Sequence, residues 1–245
     1  MKKLLKSKLL SQYPEIDHGI WRGPRAPYFR RDLEKNHIII DENALFKSLN
    51  LPAGHSLVVG EQEHTDEVFV VRDKVDRVLK IQDTDALITN HKNVHLLVYT
   101  ADCMPILMYD PVKKVIAAAH SGWKGTVNKI AVKVIKKMEE EFGTKRQDVI
   151  VYIGPSIGPC CYKGNDPIRF ELFKKYKNAV TPLGNGESSL NLWGAAEDDL
   201  IEFGVPVEHI ENAQVCTFEN GDKFASHRRE QEKRVTTNMT TITMV

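Results

Sequence analysis

The chain contains little cysteine, and none of it has a spacing typical of a structural zinc motif. Its four cysteines, Cys103, Cys160, Cys161 and Cys216, are too few for a secreted disulfide framework and form no CxxC. Cys160 and Cys161 are adjacent, so they would point to opposite faces of an extended segment. We therefore predict buried thiols there rather than two ligands of one metal ion.

Long apolar runs and an excess of charge are also missing. No segment approaches the roughly 18 apolar residues of a membrane span. Lys6 and Lys8 interrupt the apolar stretch near the start, and no small-residue cleavage site follows. A formal net charge of +1 argues against nucleic acid or a charged membrane surface as the main partner. We therefore expect a cytoplasmic protein that binds neither nucleic acid nor membranes.

The remaining composition describes a single globular domain with alternating strands and helices. The 245 residues contain no internal repeat, low-complexity tract or linker-like segment, so one domain is predicted over 1–245. Apolar strands are predicted at 56–60, 68–72, 95–100, 106–109, 115–119, 148–153 and 214–217. Helices are predicted at 42–49, 127–142, 168–176 and 190–203. This mixture favours an α+β fold, which we expect to be a layered α/β/β/α-type sandwich with mixed sheets.

The most informative segment is a predicted hairpin over 100–125. Two β-prone runs, 106–109 and 115–119, are joined by a short turn that contains Asp110 and Lys113. If Asp110 pairs with Lys113, then Cys103 lies directly opposite His120, with Cβ atoms roughly 4.5–5.5 Å apart. A thiolate and an imidazole at that distance can share one zinc ion or act as nucleophile and base. A buried thiol beside a hydrogen-bonded core histidine is the alternative interpretation.

A third metal ligand would have to come from another part of the chain. His64 lies at the junction of two predicted strands, and His18 and His227 are weaker candidates. Spacing alone does not distinguish any of the three from an ordinary polar residue. Their assignment therefore needs further information.

Three segments in order along the chain resemble one known family. They are Thr-Ala-Asp-Cys-Met-Pro-Ile-Leu at 100–107, Ala-Ala-Ala-His-Ser-Gly-Trp-Lys-Gly-Thr at 117–126, and Ile-Gly-Pro-Ser-Ile-Gly-Pro-Cys-Cys-Tyr at 153–162. Weaker matches are Gln-Glu-His at 62–64, Thr-Asp-Ala-Leu-Ile-Thr at 84–89, and the segments around Cys216 and 224–229. Together they resemble the multicopper polyphenol oxidase (laccase-domain) family, also called the purine nucleoside phosphorylase or peptidoglycan editing factor family.

This resemblance implies a zinc ion held by His64, Cys103 and His120. Three protein ligands leave the fourth position of a tetrahedral ion open, as in catalytic zinc sites. The resemblance also implies two reactions, phosphorolysis of purine nucleosides and hydrolytic deamination of adenosine. Asp102, beside the ligand cysteine, would orient a ligand or carry a proton, so Asp102, Cys103 and His120 are the predicted catalytic residues.

Arginines near both ends of the matched region are the predicted substrate-binding residues. Arg228 and Arg229 could hold phosphate by bidentate hydrogen bonds, or they could form a solvated basic pair. Arg22 is a further candidate from the resemblance. The expected partners are therefore a nucleoside and phosphate, bound by a monomer or a small homo-oligomer.

Three other functions stay open at this point. Copper instead of zinc would support oxidation of phenols, although the chain has no His-X-His pair. A Cys103 thiolate activated by His120 could act without metal as a hydrolase or deamidase. A non-catalytic member of the fold is the fourth possibility, because Thr236, Thr237 and Asn238 stand where the family has Thr-Gly-Arg.

Overall fold

The computed structural model describes residues 3–24, 29–32, 37–73, 76–233 and 235–245. In chain order, the strands of these residues are β1 (Lys3–Leu5), β2 (Ile16–Pro24), β3 (Phe29–Asp32), β4 (His37–Ile40), β5 (Ser56–Gly60), β6 (Val68–Val71), β7 (Val78–Ile81), β8 (Ala86–Thr89), β9 (Val94–Thr100), β10 (Met104–Asp110), β11 (Val115–Ser121), β12 (Ile150–Ile153), β13 (Lys163–Gly164), β14 (Val180–Gly184), β15 (Glu187–Leu190), β16 (Ile210–Asn212) and β17 (Thr236–Met244). The helices are α1 (Glu42–Ser48), α2 (Trp123–Val127), α3 (Ile130–Phe142), α4 (Pro167–Phe173), α5 (Leu192–Phe203) and α6 (His227–Glu230). None of the helices in these ranges combines the length and apolarity needed to cross a membrane.

Two six-stranded sheets form the centre of the molecule. The first has the order β1-β2-β17-β9-β5-β7, and the second has the order β16-β12-β10-β11-β8-β6. Both are mixed, because β5 runs parallel to β7 and β9, and β12 and β8 run parallel to β16 and β6. Smaller sheets join β13, β15 and β14, and β3 and β4.

Apolar packing stacks these elements into four layers. Leu96 of the first sheet and Leu107 of the second belong to the core between the sheets. On the outer face of the second sheet, Ile106 belongs to the same cluster as Ile135 of α3. Leu45 of α1 packs with residues of β5 on the outer face of the first sheet. The α/β/β/α sandwich with mixed sheets is thereby confirmed.

The central hairpin is present, but its predicted register is wrong. Asp110 pairs with Val115 rather than Lys113, and Pro105 rather than Cys103 lies opposite His120. Asp110 Oδ1 accepts hydrogen bonds from the backbone N–H groups of Val112 (2.8 Å) and Lys113 (3.0 Å), which closes a longer turn than expected. A shift of two residues keeps every side chain on its predicted face, because strand side chains alternate with a period of two.

The predicted helix over 127–142 is divided into two. Lys129 has φ 58°, a left-handed conformation that separates α2 from α3. Thr126 belongs to α2, where its Oγ1 donates to the carbonyl oxygen of Gly122 at 2.9 Å. Gly143 ends α3 in the left-handed conformation, with φ 67°.

The other predicted elements are mostly present with shifted ends. Asp41 caps α1 through a hydrogen bond from Ala44 N, and Asn191 caps α5 through one from Gly194 N. The strand predicted at 214–217 is wrong. Gln214 has φ 49°, and Cys216 takes part only in an isolated bridge to Ser156.

Candidate metal centre

The structure brings His64, Cys103 and His120 together. One ligand atom from each lies within 4.8 Å of the others. Cys103 Sγ is 3.7 Å from His64 Nε2, and the two imidazole ring centroids are 4.8 Å apart. His120 is buried, Cys103 is half-buried and His64 is exposed, so the cluster opens to solvent on the His64 side. His18, on β2, and His227, at the start of α6, are not part of this group.

The three side chains come from a strand of the second sheet and from two loops that leave strands of the first sheet. His120 lies near the end of β11, and Cys103 lies in the turn between β9 and β10. His64 follows β5 in a loop, with a left-handed φ of 59°. Gln62 anchors that loop, because its side chain donates to Tyr99 O (2.7 Å) and accepts from Tyr99 N (2.9 Å).

Asp85 contacts His120 directly and reaches His64 only through its neighbour, Thr65. The 84–89 segment belongs to the family resemblance, but this role of Asp85 is not predicted from it. Its Oδ1 lies 2.6 Å from His120 Nδ1, which leaves Nε2 of the ring for a ligand. Its Oδ2 accepts from the backbone N (2.6 Å) and Oγ1 (2.7 Å) of Thr65, the neighbour of His64. A carboxylate behind a histidine is the usual outer partner of a metal-bound imidazole, since it fixes the tautomer and ring orientation.

The electrostatics of the cluster favour the ligand form of the thiol. Burial opposes ionisation of Cys103, but the charge of His120 and hydrogen bonds from His120 and His64 lower the pKa of the thiol. Burial also opposes charge on His120, but Cys103 and Asp85 together raise the pKa of its imidazole. Two imidazoles and one thiolate form a donor set that suits zinc or copper ions. These residues therefore fit a transition metal ion.

Gly122 makes room for the cluster. A Cβ atom at this position would lie 2.9 Å from His64 Cδ2 and 3.1 Å from Cys103 Sγ. Its backbone φ of −78° is available to any residue, so space rather than conformation requires glycine here. Gly122 and Cys103 lie directly beyond the last pair of the β10–β11 hairpin, Met104 with Ser121, which explains the close approach.

Asp102 is buried directly behind Cys103, with a left-handed φ of 83°. Its Oδ1 accepts from Thr217 Oγ1 (2.7 Å), and its Oδ2 accepts from Ser226 Oγ (3.0 Å) and the backbone N of Arg228 (2.6 Å). Through these hydrogen bonds, Asp102 connects the turn that contains Cys103 to the loop at Thr217 and to the start of α6.

Asn238 supports the same region from β17. Its buried side chain donates to Ala225 O (3.0 Å) and accepts from Ala225 N (2.8 Å), next to Ser226. The residue that departs from the family pattern therefore holds the backbone that reaches Asp102.

The three candidate arginines lie in different surroundings. Arg229 donates to the carbonyl oxygens of Thr217, Phe218 and Phe224 and pairs with Glu230. Arg22 donates to the carbonyl oxygens of Gly221 and Asp222 and also pairs with Glu230, at 3.7 Å.

Arg228 has fewer fixed contacts. It is exposed, donates to Lys163 O (2.7 Å), and places its guanidinium 5.4 Å from the ring centroid of Tyr162. Its guanidinium is thus the most accessible of the three.

Comparison with known proteins identifies the relatives of this architecture. Residues 30–245 match the family model described as multi-copper polyphenol oxidoreductase laccase. The chain is 31% identical, over 93% of its length and 92% of the relative's, to a protein of Bacteroides thetaiotaomicron named purine nucleoside phosphorylase. It is 30% identical, over 70% of its length and 66% of the relative's, to adenosine deaminase RL5 of an unknown prokaryotic organism.

A solved structure confirms the fold. The crystal structure of the Bacillus licheniformis hypothetical protein YfiH superimposes with a TM-score of 0.77 at 28% identity, covering 96% of this chain and 94% of that one.

The fold and the cluster define a layered α+β protein in which His64, Cys103 and His120 lie close enough together to hold a metal ion. The chain belongs to the multi-copper polyphenol oxidoreductase laccase family. The predicted resemblance is thereby confirmed.

Proposed function

We propose that the protein is a zinc-dependent purine nucleoside phosphorylase that also deaminates adenosine. The observation that carries this proposal is the convergence of His64, Cys103 and His120 on one point, backed by Asp85. Relatives named purine nucleoside phosphorylase and adenosine deaminase support the class of substrate.

His64, Cys103 and His120 would hold the ion, and Asp85 would keep the His120 ring in its ligating orientation. A bound zinc ion would supply a Lewis acid with one coordination position left open by its three protein ligands. His64 is exposed, so a substrate would reach the cluster from the His64 side. The carboxylate contacts of Asp102 support its role in orienting Cys103.

Arg228 is the proposed phosphate-binding residue. Its backbone N donates to Asp102, which places it beside the turn that carries Cys103. The Tyr162 ring lies against its guanidinium, and the exposed fork can form two parallel hydrogen bonds to phosphate. The guanidinium groups of Arg22 and Arg229 are engaged with carbonyl oxygens, which favours a role in holding the 217–224 loop.

The test is a product analysis of adenosine with and without phosphate. With phosphate, adenine and ribose 1-phosphate should form; without it, water should replace the amino group and yield inosine and ammonia. His120→Ala is the negative control, because it removes a ligand. Absence of all four products above that control would refute the proposal.

A metal-free enzyme is the second candidate, favoured by the lowered pKa of the Cys103 thiol beside His120. Removal of metal by a chelator separates the two functions. The zinc enzyme should lose turnover and recover it with added zinc, whereas a Cys103–His120 hydrolase should keep its activity. Recovery with copper alone, together with oxidation of phenols, would support the copper-dependent alternative.

A further inference from the structure

We propose a second metal site, formed by Cys160, Cys161, Cys216 and Glu219, that holds a structural zinc ion. One ligand atom from each of the four residues lies within 4.8 Å of the others. This group shares no residue with the His64–Cys103–His120 cluster. Its three thiols and one carboxylate complete a four-coordinate shell, which is the closed pattern of structural zinc sites.

The turn at 158–162 makes this arrangement possible. Backbone N–H groups of Cys161 (3.0 Å) and Tyr162 (2.9 Å) both donate to the carbonyl oxygen of Gly158. Because the segment turns instead of extending, Cys160 and Cys161 do not point to opposite faces. Their thiols instead meet on the side of the loop that carries Cys216, which corrects the prediction that they are a poor ligand pair.

The distances suit zinc. Zinc–sulfur bonds of roughly 2.3 Å and zinc–oxygen bonds of roughly 2.0–2.2 Å place tetrahedral ligand atoms about 3.5–3.8 Å apart. Cys160 Sγ is 3.4 Å from Glu219 Oε2, close to such an edge. All the other pairs fall within the 4.8 Å limit, so small side-chain rotations would bring them to the ion.

The surroundings of the thiols also suit a bound cation. The buried Cys216 Sγ accepts a hydrogen bond from Gly158 N at 3.3 Å, a contact that stabilises a thiolate. A zinc ion would neutralise the negative charge of the Glu219 carboxylate beside these sulfur atoms, and its binding would release the thiol protons.

The site would join two loops that support the candidate active site. Thr217, next to Cys216, donates to Asp102, and Ile157 N donates to the Asp102 carbonyl oxygen at 2.8 Å. A zinc ion between these loops would hold in place the segments that contact Asp102, the neighbour of Cys103, without contacting substrate. Its expected effect is a rise in melting temperature on zinc addition.

The test is zinc analysis of the full chain in a Cys103→Ser background, which disables the first site. After stripping and reloading with zinc chloride, this variant should retain about one zinc per chain, and Cys103→Ser/Cys160→Ser should retain none. Cys160 is exposed, so its replacement leaves the core intact. A folded Cys103→Ser variant without zinc, or a double variant that keeps it, would overturn the proposal.

Two further measurements test the ligand set. In Cys103→Ser, the thiols of the exposed Cys160 and the half-buried Cys161 should resist alkylation until a chelator is added and should then react. If both thiols stay unreactive after chelation but react after reduction, they form a disulfide, which would overturn the metal assignment. Glu219→Gln should release zinc to a competing chelator more readily, whereas Glu187→Gln, exposed on β15, should not. Equal release by the two variants would exclude Glu219 as a ligand.

Discussion

At the scale of single residues, hydrogen bonds between distant segments hold the candidate metal ligands in place. Asp85 contacts both His120 and Thr65, the neighbour of His64, and so connects two of the loops that form the cluster. The hairpin pattern predicts that Cys103 and His120 lie close together, and the family resemblance adds His64. Neither predicts the contacts of Asp85, because they join segments far apart in the chain.

Gly122 provides a steric test of the metal centre. Gly122→Ala places a methyl group 2.9 Å from the His64 ring and 3.1 Å from Cys103 Sγ, so bound zinc should fall well below that of the wild type. Gly125→Ala is the matched control, since its nearest contact is 3.4 Å. Metal analysis checks both variants, with circular dichroism to verify folding. Equal zinc in the two variants would contradict the assignment.

Asp85→Asn tests the outer partner of His120. The amide keeps the shape of the carboxylate but holds the imidazole less firmly and removes a negative charge. Loss of such a partner typically lowers metal affinity by about 10–100-fold. Competition with a zinc chelator measures the change. An unchanged affinity would show that the 2.6 Å contact to Nδ1 does not contribute to ligation.

Arg228→Lys tests the proposed phosphate site, and Arg229→Lys is the variant with which it is compared. An ammonium group cannot reproduce two parallel hydrogen bonds, so Arg228→Lys should raise the KM for phosphate in phosphorolysis. Deamination, which uses no phosphate, should change less. Arg229→Lys should instead lower stability, because three carbonyl oxygens lose their donor. A normal phosphate KM in Arg228→Lys would exclude Arg228 from phosphate binding.

At the scale of elements, periodicity located helices and strands but not the backbone breaks within them. The apolar stripe from Val127 to Phe142 continues through Lys129, whose left-handed φ divides the helix. Lys129 also pairs with Asp199 and Glu202 of α5, so a tertiary contact accompanies the break. Hydrophobic pattern alone does not report such a conformation.

Gly143→Ala tests the end of α3. Alanine in this left-handed position, with φ 67°, should cost about 1–2 kcal/mol of the free energy of unfolding. Urea denaturation measures the difference. The metal content should not change, because Gly143 lies at the far end of α3 from the His64–Cys103–His120 cluster. A neutral effect on stability would mean that the helix end rearranges.

At the scale of the whole molecule, the order of the layers depends on pairings between distant segments. β17 pairs with both β2 and β9, joining the chain's end to its beginning. Neither β2 nor β17 was among the strands predicted from the residues. β17 has five threonines among its nine residues and therefore contains no apolar run that would predict a strand. Its threonines are nevertheless mostly buried. The mixture of hairpins and helices predicts the layered α+β fold, but the order of the strands within each sheet does not follow from local pattern.

Glu15 connects the two central sheets electrostatically. It precedes β2 of the first sheet, and its Oε1 accepts from Tyr109 Oη (2.6 Å) and Lys114 Nζ (2.7 Å) of the β10–β11 hairpin. The hydrogen bond from Lys114, followed by that from Tyr109, lowers the pKa of Glu15 from 4.5 to about 2. The folded state therefore binds this proton more weakly than the unfolded state does.

The resulting pH dependence can be measured as a difference between variants. The contribution of Glu15 to the free energy of unfolding should be complete above about pH 4.5 and should disappear as the pH falls towards 2. Glu15→Gln should therefore be less stable than the wild type at neutral pH, with a gap that narrows below pH 4.5. Tyr109→Phe removes one of the two hydrogen-bond donors to Glu15 and keeps the aromatic packing. In the Tyr109→Phe background, the difference in stability between Glu15 and Glu15→Gln at neutral pH should therefore be smaller. A gap that stays constant from neutral pH to pH 2 would show that the Glu15 carboxylate does not stabilise the contact between the sheets.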